Sequence, residues 1–81
     1  MELNRPVIVF LNEKGLETLE LAAGIPREPA FTSFYALETD QSGLWVSVRQ
    51  EDGEHQLLIR WDCILAVDVP IGGTPILETT A

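Results

Sequence analysis

Apolar residues along this chain fall into short runs and two-residue alternations separated by turn-forming clusters, a pattern that predicts strands more than helices. Pro6–Leu11 (PVIVFL) is a β-branched apolar run too short for a helix, bounded by Pro6 and the polar NEKG, and it reads as a buried strand. In AFTSFYALE, Phe31 and Ser33 alternate against Thr32 and Phe34. In LWVSVRQ, Leu44, Val46 and Val48 alternate against Trp45, Ser47 and Arg49, as in a half-buried strand. HQLLIRW and CILAVDV complete the set.

The punctuation agrees. GIPREP carries two prolines and reads as a loop, and DQSG reads as a turn. EDGE places Asp52-Gly53 between two alternating runs, a strong hairpin signal because a type I′ turn needs positive φ at both central residues. Leu16–Gly24 fits two descriptions. As a strand it puts Leu19, Leu21 and Ala23 on one face, with NEKG as a hairpin turn, and this is the preferred reading. As a short helix over about 16–23 it groups Leu16, Leu19 and Ala23, with Asn12 as cap and Gly24 and Pro26 as terminators. Between Trp61 and Cys63 the chain must turn without glycine or proline, and Asp62 is the polar residue available to hold the corner. Beyond it, Cys63, Leu65, Val67 and Val69 would line one face of the last strand and Ile64, Ala66 and Asp68 the other. Both faces are mostly apolar, as for a strand covered twice or meeting another subunit.

Five or six short strands joined by tight turns, with little helix, predict a mainly β fold, a small antiparallel barrel or a strongly bent sheet, with the barrel preferred. One domain spans 1–70, and IGGTPILETTA (71–81) reads as a flexible C-terminal tail.

Within this pattern, IRWDCILAV (Ile59–Val67) resembles the second signature of the Sm and Sm-like family: apolar, Arg, Gly, two free positions, apolar, two free positions, apolar. Ile59, Arg60, Ile64 and Val67 match it, and Trp61 stands where the glycine would be. The order of strands and turns over residues 31–70 is similar too. The family's first signature pairs an aspartate with an apolar–asparagine step; Asp40 matches the aspartate, and the QSGLWV after it contains no asparagine. Members usually begin with a helix, whereas this chain begins with VIVFL. The resemblance implies a small barrel of the Sm-like or SH3-like kind whose exposed strand edges pair into rings, with Asp40 and Arg60 at the RNA-site positions. Fold does not carry function with it.

Size and charge narrow the functions. A chain of 81 residues buries only about 60% of the surface its unfolded form exposes, so self-association is a common way to gain stability. Thirteen acids against five bases give a net charge of −8, and Arg5, Lys14, Arg27, Arg49 and Arg60 are scattered. That balance disfavours nucleic acid and an anionic membrane as partners. One cysteine precludes an internal disulfide and suits a reducing compartment, so a cytoplasmic location is expected. Neither a signal peptide nor a membrane span is evident in the sequence.

Candidate chemistry is sparse. Cys63 as a nucleophile would need a base, and the lone histidine, His55, lies eight residues away, roughly 25 Å in an extended strand. Cysteine in such a setting is more often a small core residue. Glu51, Asp52, Glu54 and His55 could ligate a divalent ion, yet the loop is too short to wrap a cation and already explained as a turn. No cofactor motif is present: IGG in the tail has no helix after it. Trp45 faces the same side as Ser47 and Arg49, and exposed tryptophan is enriched in interfaces. The sequence thus points to a non-enzymatic, self-associating structural or protein-interaction module. Trp45, Ile64 and Ala66 are its candidate interface, and a divergent Sm-like RNA-binding ring protein using Asp40 and Arg60 is the alternative.

Overall fold

The computed structural model describes residues 1–71. Along the chain it forms β1 (Glu2–Leu11), α1 (Glu13–Ala23), β2 (Phe31–Thr39), β3 (Gly43–Gln50), β4 (Gly53–Arg60), a single 3-10 turn at Trp61–Cys63, and β5 (Ile64–Asp68). The strands make one antiparallel sheet in the order β4-β3-β2-β1-β5. Alternation sets its inner face. Val7, Val9 and Leu11 from β1 meet Phe34 and Ala36 from β2, Leu44 and Val46 from β3, and Ile59 from β4. Leu19 of α1 and Cys63 of the 3-10 turn close one end of this core. Each large aliphatic side chain so buried contributes roughly 1.5–3 kcal/mol.

The mainly β expectation holds; closure into a barrel does not. Closing the sheet would require β4 to pair with β5, but Ile64–Asp68 runs along β1 instead, with Val9 opposite Val67 and Phe10 opposite Ala66. β4 and β5 are therefore the two edges. The hairpin expected at 16–23 is also overturned, in favour of the helix. β1 already has β2 on one side and β5 on the other, so a third partner strand has no edge to join. Local chemistry points the same way: the Asn12 side-chain oxygen accepts from the Gly15 amide at 2.8 Å, and Gly24 ends the helix at φ +67°. Leu21, which the hairpin reading turned inward, is 80% exposed.

Two turns differ in detail from the sequence reading. In the β3–β4 hairpin Gln50 faces Gly53, so Glu51 and Asp52 are the turn residues. Gly53 follows them at φ +128°, a conformation L side chains avoid. At the corner, the Asp62 carboxylate does not hold its own backbone. It meets Lys14 Nζ at 2.9 Å, while the Asp62 carbonyl accepts from Asn12 Nδ2 at 2.7 Å. The corner is thus tied to the start of α1. The approach is close: a Cβ on Gly15 would stand 2.6 Å from the Cys63 carbonyl oxygen. The tail expected at 71–81 lies, beyond Ile71, outside the described residues.

Candidate functional site

The expected interface residues do not converge. Trp45 lies on β3, while Ile64 and Ala66 lie on β5, three strand spacings or about 14 Å away across the sheet. Trp45 is half-buried on the outer face, its indole N–H donating to Asp40 Oδ2 at 2.9 Å. Ile64 packs against the core, and Ala66 is exposed.

Ala66 instead belongs to a patch that the sequence reading missed. β1 presents Phe10 on the outer face, where it is paired with Phe31 of β2 and Ala66 of β5. The two phenyl rings stack in a tilted geometry, centroids 5.5 Å apart. Phe10, Phe31 and Tyr35 are 37%, 45% and 46% exposed, so three aromatic side chains of one face stand half in water. The signal was present in PVIVFL: an unbroken apolar run in a strand must place half its side chains outward.

β5 carries a second surprise. Phe10 pairs with Ala66 and Leu11 with Ile64, so Leu65 is the extra residue of a bulge. The expected face of Cys63, Leu65, Val67 and Val69 is therefore broken: Cys63 is buried, and Leu65 is 70% exposed on the sheet's edge.

Between α1 and β4 lies an apolar pocket of about 130 Å³. Leu19, Leu58, Ile59 and Cys63 line it, with Lys14 and Arg60 at its rim. Lys14 Nζ and Arg60 Nε approach the same Asp62 carboxylate, at 2.9 and 3.6 Å. The hydrogen bond from Lys14 holds the Asp62 carboxyl below its ordinary range and raises the Lys14 ammonium. Burial pushes the Cys63 thiol up, and the neighbouring Asp62 carboxylate adds to the effect, the reverse of what a thiolate nucleophile needs. His55 takes its contact elsewhere, with its Nε2 2.6 Å from Asp52 Oδ1 at the hairpin tip.

Asp40 and Arg60, the two positions the resemblance implied for RNA, lie on either side of Gly43, which pairs with Arg60 and accepts from the Asp40 amide. Asp40 sits in the β2–β3 turn, where its Oδ1 accepts from the amides of Ser42 and Gly43 at 2.8 and 3.2 Å. With Trp45 first among its donors, the Asp40 carboxyl is held below its ordinary range. Trp61 crosses to the same turn: its indole N–H donates to the Asp40 carbonyl at 2.9 Å, and its amide to the Ser42 carbonyl at 3.2 Å. A cleft of about 420 Å³ opens there, lined by Gln41, Ser42, Arg60, Trp61 and Asp62. The Asp40 carboxylate is thus spent on the turn, while Arg60 and the 42%-exposed Trp61 face the cleft.

Among the described residues, no helix is long and apolar enough to cross a membrane. No family model matches this chain, and neither a curated protein nor a solved structure matches it.

Proposed function

We propose that this chain is a small β-sheet module that works by associating with copies of itself, as a structural or protein-interaction element and not as an enzyme. The observation that carries the reading is the uncovered aromatic strip of Phe10, Phe31 and Tyr35 beside Ala66. Contiguous exposed apolar surface on a small domain marks an interaction face. Two further features support it. Among the described residues both ends of the sheet are strand edges, which need cover to avoid uncontrolled pairing. An 81-residue chain without an internal disulfide also gains stability by burying surface between copies. Its lone buried thiol suits a reducing compartment such as the cytoplasm. The test is molar mass by light scattering across a wide concentration range. The expected result is a multiple of 9.0 kDa; a mass that stays at 9.0 kDa at every concentration overturns the reading.

A second reading rests on the Trp61 cleft: a divergent Sm-like binder of single-stranded RNA. An exposed indole beside Arg60 offers a base a stacking surface and its phosphate a cation. What supports it is the succession strand, turn, strand, hairpin, strand, corner, strand along residues 31–70, on which the resemblance rests. This reading requires salt-sensitive binding of uridine-rich strands that Arg60→Ala abolishes, and absence of binding in low salt ends it.

A further inference from the structure

Resting on the self-association reading above, we infer that two copies pack their outer sheet faces together across a two-fold axis, the aromatic strip of each covering that of the other and Asp68 of each meeting Arg49 of its partner.

The strand register places the parts of this contact. Directly paired residues of antiparallel strands share a face, so Phe10 with Phe31, Ile8 with Ser33 and Pro6 with Tyr35 stand in successive rows on the outer side of β1 and β2. β5 adds Ala66 to the first row and Asp68 to the second. On the other flank Ser47 of β3 pairs with Tyr35, and Arg49 follows two residues on, on the same face. The aromatic strip thus runs over β1 and β2, between an acid on β5 and a base on β3. Covering Tyr35 strands no hydroxyl, because its O–H already donates to the Asn4 carbonyl at 3.0 Å.

A second copy is the partner whose charges fit this frame. Among the described residues neither Asp68 nor Arg49 forms an ion pair. Glu54, opposite Arg49 on β4, takes the Ser47 hydroxyl at 2.9 Å instead. A two-fold axis lying in the contact plane and along the strands sets β1 of one copy over β2 of the other, and β5 over β3. Phe10 then faces Phe31, Pro6 faces Tyr35 and Asp68 faces Arg49, each pairing made twice because the surface is self-complementary. Sheets stacked in this way lie about 10 Å apart with their strands within about 30° of each other. In a chain of net charge −8, these two ion pairs are the local exception that orients like-charged copies.

Area sets the strength. At 37%, 45% and 46% exposure, Phe10, Phe31 and Tyr35 offer roughly 250 Å² per copy, about a third of what a standard interface takes from each partner. Exposed Pro6, Ser33, Ala66, Asp68 and Arg49 surround them and enlarge the contact, giving an aromatic centre within a polar rim. The dimer is therefore weak and concentration-dependent. It is also closed, because both strips are used and none is left to recruit a third chain.

The test reads dimerisation by light scattering over a concentration series, with urea midpoints confirming that every variant folds. Wild type should reach a mass of two chains and no more. Phe31→Lys puts a cation into both halves of the strip and should weaken the dimer at least roughly tenfold. Arg49→Asp and Asp68→Arg each turn both ion pairs into like-charge pairs, and each alone should weaken it roughly fivefold or more. Mixed one to one, these two variants should dimerise as wild type does, since each supplies the charge the other lacks. The double variant, whose net charge is unchanged, should do the same. Association that ignores Phe31→Lys, or that grows beyond two chains, overturns this dimer and leaves self-association standing. Charge variants that have no effect, or that fail to rescue each other, overturn the two-fold arrangement. Wild type that stays monomeric at every concentration removes the self-association reading and this dimer with it, and leaves the strip to a different protein. Should Phe31→Lys lower the urea midpoint, Phe31→Gln repeats that part of the test.

Discussion

Asp40 holds the β2–β3 turn with one carboxylate. One oxygen takes two backbone amides, and the other takes the Trp45 indole. Because these donors, the Trp45 indole first among them, favour the charged form, the folded carboxyl titrates below the unfolded one. Its contribution is complete above the unfolded value and is lost as pH falls through the folded one, a window in which the unfolded chain binds the extra proton. Asp52 and Asp62 shift in the same direction, through His55 and Lys14 respectively. Asp40→Asn keeps an oxygen for the two amides but turns an NH₂ toward the indole N–H. The expected outcome is a lower urea midpoint at neutral pH and a shallower fall in stability as pH drops through and below the ordinary carboxylate range. Asp52 and Asp62 should leave a residual slope. An unchanged acid limb would mean that the turn draws nothing from this carboxylate.

At the scale of elements, α1 depends on one residue for two jobs. Asn12 caps the helix through its side-chain oxygen and ties the helix to the corner through its amide nitrogen, which donates to the Asp62 carbonyl. Loss of a cap costs about 0.5–2 kcal/mol and loss of a hydrogen bond about 0.5–1.5 kcal/mol. Asn12→Ala should therefore lower stability by about 1–3.5 kcal/mol, read as a reduced urea midpoint at constant m. Asn12→Asp, which keeps only the acceptor, should fall between. The same element shows where sequence reading stops. Leu16, Leu19 and Ala23 suit helix and strand alike, and what excludes the strand is that β2 and β5 already occupy both sides of β1. β3 and the turns before and after it were legible because local alternation and turn residues specify them. β1 was legible as a strand but not by face, since Val7 and Phe10 are both apolar while one is 1% and the other 37% exposed. On β5, the bulge resets the phase and carries Leu65 outward, and a register shift against a distant strand leaves no mark in a local pattern. The barrel was misjudged for the same reason: closure depends on which long-range edge β5 takes.

For the whole molecule, the decisive property is the net charge of −8, because it gives the two functional readings opposite responses to salt. Two copies approaching through apolar contacts carry like charge. Salt screens that repulsion, since the Debye length shrinks from about 30 Å at 0.01 M to about 8 Å at 0.15 M. Raising salt over this range should therefore shift the monomer–oligomer balance toward the oligomer. RNA binding at Arg60 and Trp61 would respond in reverse, because each neutralised phosphate releases counterions and affinity falls as salt rises. One salt series, read by light scattering without RNA and by fluorescence anisotropy with a labelled uridine-rich strand, separates the two. Stronger association with no RNA signal at the lowest salt leaves the Trp61 cleft as part of the scaffold, with the indole serving to clasp the Asp40 turn. Association that weakens as salt rises would mean that ion pairs, and not the aromatic face, hold the copies together.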